Sequence, residues 1–465
     1  MWSNDVFQHN GQSEVMKLLH NLDPASKADE LSCNQALQRA AKKGHTGVVK
    51  LLISLEKSGY LEGLPLNLGD ALRDATCHGH IKIVKMLWDL DRVDPIRKRC
   101  FLCSAAEYGH EDIMSFILSR GVKPDENNNA PLRFATLNGH VGIVKLLLEL
   151  DPSHGVDPAV MNNLVICCAA SLGHTEIVRL LLALPLSRGV DPSVSQNAPL
   201  CTSAAHGHTE VAQMLLELDP SRGVDPTAFE NYSFRYAAQN GHTSILRLLL
   251  ALPMSRGVDA SVVDEDNNSP IQLAAKNGHT DIVKLLLQLD SSHGIDSLQC
   301  NKALQLASKW GHTDIVKLLL ELDPSRGIDS VVCNNAFQNA NKNHRRNVMI
   351  LFLRLSPSRG VVLDHSLIDH IFYFRLLPAI SDELFNTYDW IKDFNVRRVH
   401  ELLQDCFDSF KRWCMRDGNF NRFPDYAKAI VRDYVHTRTR LYRKWKLPPN
   451  VLDITVSSLK WDKNW

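Results

Sequence analysis

The chain carries no excess of charge of either sign: Lys and Arg number 52 and Asp and Glu number 52 over 465 residues. No global field therefore steers it toward nucleic acid or an anionic membrane. It also has no uncharged apolar run long enough to span a bilayer, since the stretch from His370 to Ile380 is short and holds Arg375. The opening residues, MWSNDVFQHN, have neither a charged n-region nor an apolar h-region. We therefore expect a soluble intracellular protein, cytoplasmic, with the nucleus as the alternative. The 11 cysteines are an odd number spread over the whole chain, which fits a reducing compartment better than a disulfide framework. No glycine-rich phosphate loop, dinucleotide fingerprint or calcium loop is present. His400 and Glu401 start a zinc-protease pattern, but Gln404 stands where its second His would be. No enzyme activity, cofactor or metal is expected.

Hydrophobic residues make up 44% of the sequence, too many for a disordered chain, and the length is too great for one compact core. The resolution is a repeat. The same phrase recurs around Gly11, Gly44, Gly79, Gly109, Gly139, Gly173, Gly207, Gly241, Gly278 and Gly311 at spacings of 30 to 37 residues. Its clearest copies are AAKNGHTDIVKLLL from Ala274 and ASKWGHTDIVKLLL from Ala307. A further copy has His344 in the Gly position and reads as a capping unit, terminal repeats being atypical.

Each phrase predicts a helix with a small-residue pair such as Ala105 and Ala106, closed by a left-handed Gly. A second helix follows, with Ile282, Val283, Leu285, Leu286 and Leu287 forming a wide apolar face. Neither helix can bury that face alone, so stacking is obligatory.

These residues resemble the ankyrin-repeat family over about residues 1–360. The resemblance implies an all-α solenoid of about ten to eleven helix-turn-helix units. The family's Thr-Pro-Leu-His start survives only in part, as SPIQ from Ser269 and APLR from Ala130. Where the family has its His, this chain has residues such as Gln38, Arg133, Cys201, Arg235 and Gln272. The array, residues 1–361, is followed by a region without the period, 362–465, read as a small helical domain. Its helices are expected over Asn395 to Arg416 and Tyr426 to Trp445, and from Ile391 onward basic residues outnumber acidic ones by 16 to 9.

Nine His follow the repeat Gly, and their regularity argues for a turn hydrogen bond in each unit rather than metal binding. Cys103, Cys167 and Cys201 share one phase and Cys33, Cys300 and Cys333 another, as packed small hydrophobes would. Arg188, Arg222, Arg256, Arg326 and Arg359 recur in the turn after the second helix, with His154 and His293 between them. They are read as solvated or helix-capping side chains in preference to a basic ladder. The stripe of Arg432, His436, Arg440, Arg443 and Lys444 is likewise read as an ordinary exposed face, which makes binding of nucleic acid or an anionic surface by the basic tail the lesser expectation.

By the resemblance, a partner docks on the concave side, where the two residues before each Gly lie. The candidate binding residues are Lys42, Lys43, Glu107, Tyr108, Leu137, Asn138, Leu172, His206, Gln239, Asn240, Lys276, Asn277, Lys309 and Trp310. Tyr108 and Trp310 are the aromatic anchors. The expected function is a monomeric, non-catalytic scaffold for another protein. Leu447 to Leu459 also resembles the start of an F-box, with Asn450 in place of the usual Glu, which implies as an alternative a substrate adaptor of a ubiquitin ligase.

Overall fold

The computed structural model describes residues 30–355 except 59–65, 91–93, 254–255, 257, 265, 290–294 and 323–327. Within that span the chain is all-helical, arranged as ten helix pairs. They are α1 Glu30–Lys43 with α2 Thr46–Lys57, α3 Leu68–Cys77 with α4 Ile81–Trp88, α5 Pro95–Tyr108 with α6 Glu111–Ser119, and α7 Glu126–Leu137 with α8 Val141–Leu148. Next come α9 Val160–Ser171 with α10 Thr175–Leu182, α11 Val194–His206 with α12 Thr209–Leu216, and α13 Ala228–Asn240 with α14 Thr243–Leu250. The last are α15 Pro270–Asn277 with α16 Thr280–Leu287, α17 Ser297–Trp310 with α18 Thr313–Leu320, and α19 Ser330–Lys342 with α20 Arg346–Leu353. The Gly11 copy, the boundary at 361, both tail helices, the Leu447–Leu459 segment, Arg326, Arg359 and His293 lie outside the described residues. No described helix is long and apolar enough to cross a membrane.

The helices form two compact units, one reaching to Ala237 and including Ser244–Val258, the other made of Ala238–Thr243 and the residues from Asp259 onward. In each unit the substantial contacts join helices of one pair or of adjacent pairs. The core is built as the period requires: Ala105 and Ala106 are wholly buried, as are Ile282, Val283 and Leu286, while Leu285 and Leu287 are half-buried. Burying a leucine side chain fully contributes about 1.5–3 kcal/mol, but only when the neighbouring pair is present to cover it.

The turn between the helices of a pair is closed twice. Gly278, at φ +86, ends α15 in the left-handed region, and the His279 amide donates to the Ala274 carbonyl five residues back at 3.0 Å. This is the glycine-closed helix end the phrase predicts. His344 adopts the same left-handed backbone at φ +57, and the Arg345 amide makes the equivalent bond to Ala340 at 2.8 Å. The substituted unit therefore keeps the turn.

Four pairs open differently from the family's pattern. Residues 127–129, 161–163, 195–197 and 229–231 form left-handed turns of three, with φ between 50° and 65°, ahead of the right-handed part of α7, α9, α11 and α13. Such backbone costs about 1–2 kcal/mol per residue outside glycine. The third residue is always Asn, which tolerates the conformation best, and its side chain is buried. The Oδ1 atoms of Asn129, Asn163 and Asn197 accept the amides of Asp157, Asp191 and Asp225 in the next pair at 3.1, 2.9 and 2.9 Å. Arg133 and Arg235, in the position of the family's His, donate to carbonyls of their own left-handed turn, Arg235 to Glu230 at 2.8 Å and Phe229 at 3.1 Å. In α15 the same position is Gln272, which accepts the Ser269 amide at 3.1 Å in a capping box. Different side chains thus meet the same need, which is to satisfy the start of the first helix.

Candidate partner-binding surface

The two residues before each Gly end the first helix, so their side chains point away from the stack. Every candidate residue is exposed except Gln239, which is half-exposed. Tyr108 is 52% exposed, Leu137 45%, Leu172 46% and Trp310 45%, values that leave large apolar side chains without cover.

Their backbone is held from the next repeat. The His after each Gly reaches back to the carbonyl two residues before the preceding Gly: His80 to Lys42 at 3.0 Å, His110 to Cys77 at 3.1 Å, His140 to Glu107 at 2.9 Å and His174 to Leu137 at 3.4 Å. His208 to Ser171 at 2.9 Å, His279 to Gln239 at 2.8 Å and His312 to Lys276 at 2.9 Å continue the series. A carbonyl only accepts, so Nε2 carries the proton in each ring. The bond expected within each turn is therefore a bond between repeats. In the last pair Arg345 takes over, its Nε donating to Lys309 at 3.1 Å.

The turn arginines have a comparable role. Arg188 donates to the carbonyls of Leu148 at 3.4 Å and Val156 at 3.1 Å, and Arg256 to those of Leu216 at 2.7 Å and Val224 at 3.1 Å. Arg222 reaches Val190 at 3.4 Å. Leu148 and Leu216 end α8 and α12, so Arg188 and Arg256 cap second helices of the preceding pair. Their guanidiniums are spent on the fold rather than gathered as a ladder.

The thiols are no better placed for chemistry. Burial, the largest cause in each case, pushes Cys103 and Cys167 up to about 11, and raises Cys77, Cys168 and Cys201 as well. A raised thiol is neutral and weakly nucleophilic. Cys33, Cys201, Cys300 and Cys333 are buried, as packing predicts, whereas Cys100 is exposed. Among the described residues no group of three or more His, Cys, Asp or Glu converges as metal ligands would.

A family model for ankyrin repeats matches residues 6–98, 75–162, 154–229 and 234–330, most of the helical array just described. The chain is an ankyrin-repeat protein. Comparison with curated proteins gives no match. Ankyrin repeats are protein-interaction modules, and within each of the two units the helix pairs contact their neighbours and leave the variable residues before the glycines exposed. Sequence reasoning placed the exposed pairs of the ankyrin array but stopped short of Lys342 and Asn343, which occupy the same two positions before His344.

Proposed function

We propose that the ankyrin array is a non-catalytic scaffold, monomeric and cytoplasmic, that binds another protein through the residue pairs ahead of the repeat glycines. One observation carries the reading. Three consecutive repeats expose Tyr108, Leu137 and Leu172, and cross-repeat bonds to the carbonyls of Glu107, Leu137 and Ser171 hold the backbone beneath them. Apolar side chains left open on a rigid frame are the makings of a binding hot spot, because their desolvation is favourable and little ordering entropy is lost. The seven histidines bonded across repeats support a non-catalytic role, each ring being tied to a carbonyl.

The test compares wild type with a Tyr108→Ala, Leu137→Ala, Leu172→Ala variant as baits in pull-downs, with Trp310→Ala in parallel. All four side chains are exposed, so helicity and melting should not change. The variant should lose specific captured proteins; equal retention of every one would defeat the proposal.

A further inference from the structure

The last three described repeats present a different surface. Lys276, Lys309 and Lys342 occupy the same position, two residues before Gly278, Gly311 and His344, and all three are exposed. No other residue type takes this position in these three consecutive repeats; Lys42 takes it in the first described repeat, and Cys77, Glu107, Leu137, Ser171, Ala205 and Gln239 take it in those between. No described carboxylate lies within ion-pair distance of the three ammoniums. Asp296 and Asp329 are occupied elsewhere, accepting the amides of Gln299 and Val332 at the starts of α17 and α19. Asp281 and Asp314 lie in the first turns of α16 and α18. The backbone of two of the lysines is fixed, by His312 at 2.9 Å and Arg345 at 3.1 Å. Beside them stand the neutral amides of Asn277 and Asn343, and Trp310, whose ring has the Lys309 ammonium 5.9 Å from its centroid.

We infer that this ladder docks an extended, acidic segment of a partner protein; the inference rests on the protein-binding reading above and names the partner's chemistry. Stacked helices lie about 8–10 Å apart. An extended chain rises about 3.3 Å per residue, so a carboxylate at every third residue meets successive lysines. Asn277 and Asn343 each spend one N–H, donating from Nδ2 to the carbonyls of Gln239 and Asn339 at 2.8 Å, which leaves a second N–H and Oδ1 on each for the peptide backbone between those contacts, and the Trp310 ring covers an apolar side chain. A nucleic acid fits less well. Proteins that bind it electrostatically neutralise about six to ten phosphates, and residues 1–390 carry 36 basic against 43 acidic side chains.

The experiment titrates the full chain with a fluorescein-labelled peptide of repeated Glu-Gly-Gly triplets, following anisotropy at low and high salt. A Lys-Gly-Gly peptide and an oligo-dT strand serve as competing probes. The acidic peptide should bind, weaken with salt, and bind about tenfold more weakly to a Lys276→Gln, Lys309→Gln, Lys342→Gln variant, since each exposed charge contact changes an affinity about two- to fivefold. Lys145→Gln, at an exposed lysine on the second helix α8, should leave it unchanged. No binding of the acidic peptide, binding indifferent to the three substitutions, or tighter binding of oligo-dT lost in the same variant would each overturn the inference. If those results came while the pull-down still depended on Tyr108, Leu137 and Leu172, only the acidic-segment inference would fall. If the pull-down were also indifferent, the protein-binding reading would fall with it.

Discussion

The His208 ring donates from Nε2 to the Ser171 carbonyl at 2.9 Å and occupies the space that a side chain at Gly173 would fill. Gly173 is at φ +72, so two independent demands meet at one position: a left-handed backbone and room for the next repeat's imidazole. Gly44, Gly79, Gly109, Gly139, Gly241 and Gly278 stand in the same relation to the following His.

Gly173→Ala should therefore cost more than the backbone alone, which accounts for about 1–2 kcal/mol. In a His208→Ala background the ring is gone, and the same substitution should be cheaper by roughly 0.5–1 kcal/mol. Hydrogen exchange of amides in α9 and α10 measures both. Equal costs in the two backgrounds would mean the ring does not crowd the glycine.

Arg256→Ala removes a guanidinium that satisfies the Leu216 and Val224 carbonyls, and should destabilise the adjoining repeats by about 1–3 kcal/mol. Arg222→Ala, which loses one longer bond to Val190, should cost less. Neither should alter retention on a heparin column, because the charges are engaged in the fold. A marked fall in heparin retention would restore the basic-ladder reading of these arginines.

Native cysteine reactivity should follow burial. At pH 8 an exposed Cys100 should alkylate first, while Cys103 and Cys167, both pushed up to about 11 from 9.0 by burial, lag. Raising a thiol by two units lowers its thiolate fraction about a hundredfold. The sign for stability follows. Between these two values the folded chain holds protons that the unfolded chain has lost, so the contribution falls as pH rises above the unfolded value. Mass mapping of iodoacetamide adducts decides this prediction, and it fails if Cys103 and Cys167 react as fast as Cys100.

The glycine period, the small residues and the apolar second-helix face were readable because each repeats a local requirement of the backbone or the core. What lay beyond reach were partners one repeat away. The regularity of the histidines implied a shared bond, but nothing in a single phrase says that His208 looks back to Ser171 rather than to its own turn. Asn129, Asn163 and Asn197 recur in phase too, yet three left-handed residues in succession oppose local preference and persist only through bonds to the following pair. The exposure of the candidate residues as far as Trp310 was legible from their place before the glycine, Gln239 alone being half-buried. Lys342 was missed because His344 replaces the glycine, and that unit was taken for a cap.

Within each unit a helix pair packs on its neighbours in the chain, and Leu286→Ala tests whether its stability depends on them alone. Leu286 is wholly buried in α16, and its truncation should cost about 2–5 kcal/mol. A hydrogen-exchange map of the variant against wild type should show protection lost in the repeats around Gly278 and Gly311, with the segment from Gly79 to Gly173 unchanged. Uniform loss of protection from end to end would contradict it, since the chain would then fold as one cooperative body.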